Sequence, residues 1–145
     1  THTVLVTNNS IYSCSDFGTW IHGWQQAGSR MNATVRNNVM SGTRVGLSIE
    51  HVTSSTASGI CADVSGNTMT PTQFNFNLSL RAGTLQLRGY AGSTAGGSAS
   101  TNTDLVSYLR ARNTTPAITS FSSSSAGMVI EGATAGISAC PVPAF

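Results

Sequence analysis

Apolar and polar positions along the chain recur in a fixed frame. Val6-Thr7-Asn8-Asn9-Ser10-Ile11 returns as Val35-Arg36-Asn37-Asn38-Val39-Met40 and as Val64-Ser65-Gly66-Asn67-Thr68-Met69, each copy 29 residues after the last. In the same frame Gly18, Leu47 and Phe76 form one column, Trp20, Ile49 and Leu78 a second, and His22, His51 and Leu80 a third. Polar Thr19, Ser48 and Asn77 lie between them. Alternation with period two predicts strands with one buried face, and so short a spacing leaves no room for a crossover helix. The expected fold is all-β: a right-handed parallel β-helix (β-solenoid) of about three coils over residues 1–90. Its handedness follows from the crossover rule, and equivalent residues stack about 4.8 Å apart. Asn9, Asn38 and Asn67 then form a ladder, because Asn tolerates the left-handed backbone of a tight turn and stacked amides hydrogen-bond from coil to coil.

After residue 90 the frame fails: Gly96 stands where the Asn ladder would continue, inside a Gly/Ser/Ala-rich stretch over 91–100 that reads as a loop. Thr101-Asn102-Thr103-Asp104 then opens a short helix over about 103–112, with an acid at its start and Arg110 and Arg112 at its end, as the helix dipole favours. Three short strands are expected over 117–121, 128–131 and 137–140. Residues 91–145 thus read as a cap over the last coil, which would otherwise present open strands to water. At the other end Thr3, Val4, Leu5 and Val6 enter the repeat at once and leave an open assembly edge. Upstream coils of a longer parent chain, or a second copy, are expected to cover it.

Composition narrows the function classes. Charged residues make up 8% of the 145, with seven Arg, no Lys and a net charge of +2, while Ser, Thr and Asn fill 50 positions. Scattered guanidiniums without a basic cluster argue against nucleic-acid binding. No apolar run approaches the roughly 20 residues of a membrane span, and a chain opening on Thr1 reads as processed or as a fragment. Cys140 sits in a Gly/Ser/Pro-rich tail where a cross-link is the reason to keep it, which favours a secreted, extracellular or cell-surface setting. Glycosylation-type triplets begin at Asn8, Asn32, Asn77 and Asn113, but several are expected by chance in so Asn-, Ser- and Thr-rich a chain, and they carry no weight here.

Cys61-Ala-Asp-Val-Ser-Gly-Asn67-Thr-Met, Leu85-Gln-Leu-Arg-Gly-Tyr90, Asp104-Leu-Val-Ser-Tyr-Leu-Arg-Ala-Arg-Asn113 and Ala139-Cys140-Pro141 together carry a resemblance. They resemble the C-terminal region of large bacterial secreted or surface proteins with right-handed parallel β-helix repeats, adhesin-like and related in fold to pectate lyases. The resemblance spans roughly residues 30–142. It implies an extracellular scaffold or adhesin-like role, a terminal cap containing a helix, and a disulfide between Cys61 and Cys140. Cys14, eleven positions further around the coil than Cys61, lies beyond bridging distance and is expected to be unpaired.

Candidate chemistry is sparse. Enzymatic parallel β-helices cluster acids on one face, whereas Asp16, Glu50, Asp63, Asp104 and Glu131 share no column of the frame: Asp16 falls with Val45 and Phe74, Glu50 with Ile21 and Ser79, Asp63 with Thr34 and Leu5. No catalytic residues and no cofactor are assigned. His22 and His51 stack, but two imidazoles without a third ligand do not make a metal site, and Cys14 near His22 lacks the third group that would orient a nucleophile. Trp20 and Phe17 are expected in the core of the first coil, while Tyr12 and Trp24 are the candidate contact aromatics. The leading expectation is a non-catalytic extracellular structural or adhesive module that stacks through its open edge, as part of a surface protein or as a head-to-tail filament. The alternative is a β-helix that binds or cleaves carbohydrate, lyase-, glycosidase- or tailspike-like.

Overall fold

A computed structural model of the chain describes residues 2–23, 28–51, 58–80, 82–115, 121–124 and 128–132. The first nine strands fall into three successive groups of three, each group termed a circuit: β1 (His2–Thr7), β2 (Ser10–Tyr12) and β3 (Phe17–Gly23), then β4 (Arg30–Arg36), β5 (Val39–Ser41) and β6 (Val45–His51), then β7 (Gly59–Ser65), β8 (Thr68–Thr70) and β9 (Phe74–Leu80). β10 (Gly83–Leu87) follows, then β11 (Ser93–Ala95), a 3-10 segment (Gly96–Thr101), the helix α1 (Thr103–Arg112), β12 (Phe121–Ser124) and β13 (Met128–Gly132).

Corresponding strands stack into three sheets, ordered β1-β4-β7-β10-β13-β11, β12-β9-β6-β3 and β2-β5-β8. Every strand pair is parallel except β11 with β13. The architecture is therefore all-β, parallel and solenoid-like.

The core is the set of inward columns that period-two alternation dictates. Met31, Ile60, Leu85 and Ile130 stand in register across one sheet, as do Val4, Ala33, Ala62 and Leu87 beside them. Ile11, Met40 and Met69 line a second sheet, and Leu47 with Phe76 and Ile49 with Leu78 line the third. All belong to one cluster, and each large side chain fully buried in it contributes about 1.5–3 kcal/mol. Gly46 is one point of close approach: a Cβ there would stand 2.7 Å from the Asn75 backbone oxygen.

The corner between the first two sheets divides two tasks between neighbours. Asn8 (φ 58°), Asn37 (φ 55°) and Gly66 (φ 68°) take the left-handed conformation, which falls one residue ahead of the position expected for it. The next residues, Asn9, Asn38 and Asn67, supply the ladder. Asn38 Oδ1 accepts from Asn9 N and Nδ2, both at 3.0 Å, and Asn67 Oδ1 accepts from Asn38 N at 3.1 Å and Nδ2 at 2.9 Å.

One expected register is wrong. Ser13 (φ 54°) and Gly42 (φ 66°) still correspond, each donating its N–H to the strand above. Three residues, Cys14-Ser15-Asp16, then lead into β3, where only Thr43-Arg44 lead into β6. The extra residue moves β3 by one position. Thr19 pairs with Leu47, Trp20 with Ser48, Ile21 with Ile49, and His22 with Glu50. Trp20 consequently points outward and is 50% exposed rather than filling the core. His22 does not stack on His51, whose partner is Gly23. Asp16 stands beside Arg44 instead of Val45.

The stack also continues beyond residue 90, where a cap was expected. β10 enters four residues early against the frame, pairing Leu85 with Ile60. The chain then folds back: the stretch read as a loop contains β11, which pairs antiparallel with β13 at the far edge of the six-stranded sheet, and the 3-10 segment. α1 lies where the sequence placed it, with the Asn102 side chain accepting from Leu105 N at 2.8 Å. Its end re-enters the ladder. Arg112 O accepts from Gly66 N, and Thr114 N donates to Asn67 O at 2.8 Å, the contact that Thr68 N makes to Asn38 O and Val39 N to Asn9 O. β12 and β13 then add in parallel to β9 and β10. Expected strand residues 117–120 and 137–140 lie outside the described residues.

Candidate functional site

At one end of the stack all three sheets terminate in first-circuit strands, β1, β2 and β3. Their outer backbone rows meet no further strand among the described residues. Val4, Val6 and Ile11 are only half buried there, whereas Ala33, Val35 and Met40 one circuit on are fully enclosed. Leu5 is half buried and Thr3 exposed along the same edge.

The ladder shows what is missing at this end. An interior rung gives Nδ2 to the Val carbonyl of the preceding circuit as well as to the next rung: Asn38 to Val6 O and Asn67 to Val35 O, both at 2.9 Å. Asn9 turns that donor to its own Thr7 O at 3.1 Å. Its Oδ1 accepts no hydrogen bond among the described residues, although the Oδ1 of each rung above accepts two. The end rung is thus complete on the side facing Asn38 and unfilled on the other.

The outward face of β3 carries an aromatic shelf. Phe17 stacks on Trp20 with centroids 5.2 Å apart, and His22 meets Trp20 edge-on at 4.9 Å. Arg44 lies 5.6 Å over the Phe17 ring, and its guanidinium bonds Asp16 and, at 3.2 Å, Gln73. Beside the shelf, Glu50 accepts from Ser48 at 3.0 Å and Asn77 at 3.4 Å, and stands 3.7 Å from His22 Nδ1. An exposed indole bordered by acid, amide and hydroxyl groups suits stacking against a sugar ring. Tyr12 is 59% exposed, and Trp24 lies outside the described residues.

His51 is enclosed. Its Nδ1 contacts Ala82 O at 2.9 Å, and because a carbonyl only accepts, Nδ1 carries the proton and Nε2 is left to accept from Ser58 Oγ at 3.3 Å. Burial holds the imidazole below its usual range, against the opposing effect of the Ala82 hydrogen bond.

A third cluster was invisible in the sequence. Asp63 is 0% exposed on the outward face of β7, and three arginines distant in the chain converge on it. Arg36 hydrogen-bonds Oδ2, Arg112 reaches Oδ1 at 3.2 Å, and Arg88 lies 3.3 Å from Oδ2. Burial pushes the carboxyl up, but the Arg36 hydrogen bond and charge, with Ser65 and Arg112, outweigh it and hold Asp63 below the usual carboxylate range. Arg88 follows β10 and Arg112 ends α1, so no fixed period relates them to Arg36. The Asp63 column with Thr34 and Leu5 is as the frame gives it; Glu50 pairs with Ser79 but with His22 rather than Ile21.

Cys14 is free and exposed, in the lengthened turn before β3. Cys61 is fully buried, in register with outward-facing Asn32 and Gln86. Cys140 lies outside the described residues. Of the glycosylation-type asparagines, Asn8 is exposed, Asn32 and Asn113 are buried, and Asn77 is bonded to Ser48 and Glu50. No protein-family model, no curated protein and no solved structure matches the chain.

Proposed function

We propose that this chain is a non-catalytic extracellular module, structural or adhesive, built as a right-handed parallel β-helix. It stacks through its β1–β3 end onto a further circuit, either upstream in a longer surface protein or at the far end of a neighbouring copy. The observation that carries this reading is the end rung: Asn9 lacks the preceding carbonyl that Asn38 and Asn67 use, and turns its amide to Thr7 instead. Half-buried Val4 and Val6 beside strand edges that pair with no further strand among the described residues add to it, since such edges are templates for pairing. A head-to-tail contact of this kind does not close on itself, so a second copy gives a filament. The test compares wild type with Val4→Asp by analytical ultracentrifugation over rising concentration, alongside thermal unfolding. Loss of assembly or of stability in the variant is expected. A chain that stays monomeric at high concentration, with Val4→Asp silent in both assays, overturns the reading.

The exposed Trp20 favours a second reading, in which the outward face of β3 binds carbohydrate. A glycan array with a reducing-sugar assay separates the two: specific binding lost in Trp20→Ala, or sugar turnover, favours the second, and self-association without either favours the first.

A further inference from the structure

We infer that Arg36, Arg88 and Arg112 form a binding site for an oxyanion, a sulfate, phosphate or carboxylate group, on the outward face of the six-stranded sheet beside α1. Three guanidiniums surround a single carboxylate, so the cluster carries two surplus positive charges. No other described acid answers them. Asp16 pairs with Arg44, Glu50 stands against His22, Glu131 accepts from Gln86 at 3.0 Å, and Asp104 sits in the first turn of α1, opposite the end that holds Arg112.

The donors are equally unspent. Each guanidinium offers five N–H groups in a planar fork suited to oxyanions. Arg36 and Arg112 each give one hydrogen bond to Asp63, and Arg88 approaches it without hydrogen-bond geometry. Arg36 Nε and Arg112 Nε are buried and donate to no acceptor among the described residues, so the donors left for a ligand oxygen are those on the accessible remainder of each head. One head and one anchor point are also held in place. The Arg112 guanidinium lies 5.5 Å over the Tyr108 ring, and Tyr108 Oη donates to the backbone carbonyl of Arg88 at 2.6 Å, fixing the chain from which that side chain extends. About a third of each arginine side chain stays accessible, so a ligand enters from solvent while Asp63 keeps the three cations from separating.

The experiment is an isothermal titration of the full chain with sodium sulfate at low millimolar concentration, against sodium chloride at matched ionic strength, with dextran sulfate and neutral dextran as a second pair. Low concentration keeps general salting effects out of the signal. Saturable sulfate binding, weakened about tenfold in Arg88→Gln by loss of one charged donor, is expected, with circular dichroism showing the variant folded. Arg88→Lys retains the charge but not the fork and should recover part of the affinity. Binding of dextran sulfate alone, reduced in Arg88→Gln, assigns the site to sulfated chains rather than free anions. Signals identical for sulfate and chloride and for the two dextrans, or binding that Arg88→Gln leaves unchanged, overturn the inference.

Discussion

Asn113 stands 46 residues after Asn67, yet its Oδ1 accepts both Asn67 N at 3.1 Å and Asn67 Nδ2 at 2.9 Å, as Asn67 does for Asn38. The same side chain donates Nδ2 to Leu109 O at 2.9 Å, closing the end of α1. Two elements without sequence periodicity in common are joined through one carboxamide.

Asn67→Ala should therefore be far more damaging than Asn9→Ala. Removing the Asn67 amide strips the acceptor from Asn38 N and Nδ2 and the donor from Val35 O, all in the interior. At about 1–3 kcal/mol for each buried group left unsatisfied, a loss of about 4 kcal/mol is expected, against under about 1 kcal/mol at the exposed end rung. Urea unfolding followed by circular dichroism measures both, and equal losses contradict the ladder's role.

His51 predicts a specific pH window. Its folded pKa lies below the unfolded value of about 6.5, so the unfolded chain takes up a proton first. The contribution of neutral His51 is complete above that value and is lost as pH falls from it toward the folded pKa. The slope cannot exceed about 1.4 kcal/mol per pH unit for one group. In denaturant titrations, wild type minus His51→Gln should be flat above pH 7 and fall as pH drops below about 6.5. Asp63, depressed in the other class of group, adds its own loss only below about pH 4.

Trp20→Ala should cost less than about 1 kcal/mol, since the indole rests on Phe17 and His22 at the surface. Leu47→Ala, in the enclosed column, should cost about 2–5 kcal/mol. Thermal unfolding ranks them, and a larger loss at Trp20 would restore the register that places it inside.

Cysteine chemistry gives a further test. Cys14, exposed and free, should react with iodoacetamide in the native chain. The proposed Cys61–Cys140 bridge should appear as one cross-linked peptide in a non-reducing map, with its removal lowering stability by a few kcal/mol. A Cys14–Cys61 peptide refutes this pairing.

The repeat made three circuits legible because Asn9, Asn38 and Asn67 keep one spacing while Val and Met columns repeat around them. A single residue in Cys14-Ser15-Asp16 was enough to mislead: it exchanges inside for outside along all of β3, because strand side chains alternate with period two. The shorter segment before Arg30 restores the frame, so no gap shows between one ladder Asn and the next. Asn113 escaped because an inserted helix destroys periodicity without disturbing the stack. The arginines around Asp63 escaped for the same reason: convergence from Arg36, Arg88 and Arg112 is a property of the stacked strands and not of any local pattern.

The excursion that ends at Asn113 marks a splice point. Ala62 and Leu87 occupy equivalent places, yet Asn67 follows the first by five residues and Asn113 follows the second by twenty-six. Closing a 46-residue span instead of a 29-residue one costs only about 0.4 kcal/mol more in chain entropy. The corner that carries 88–112 thus accepts cargo at almost no thermodynamic expense, provided that the inserted segment delivers an Asn back to the rung. A peptide, an epitope or a whole small domain grafted there would be displayed on the flank of the stack while the strands beneath it kept their register.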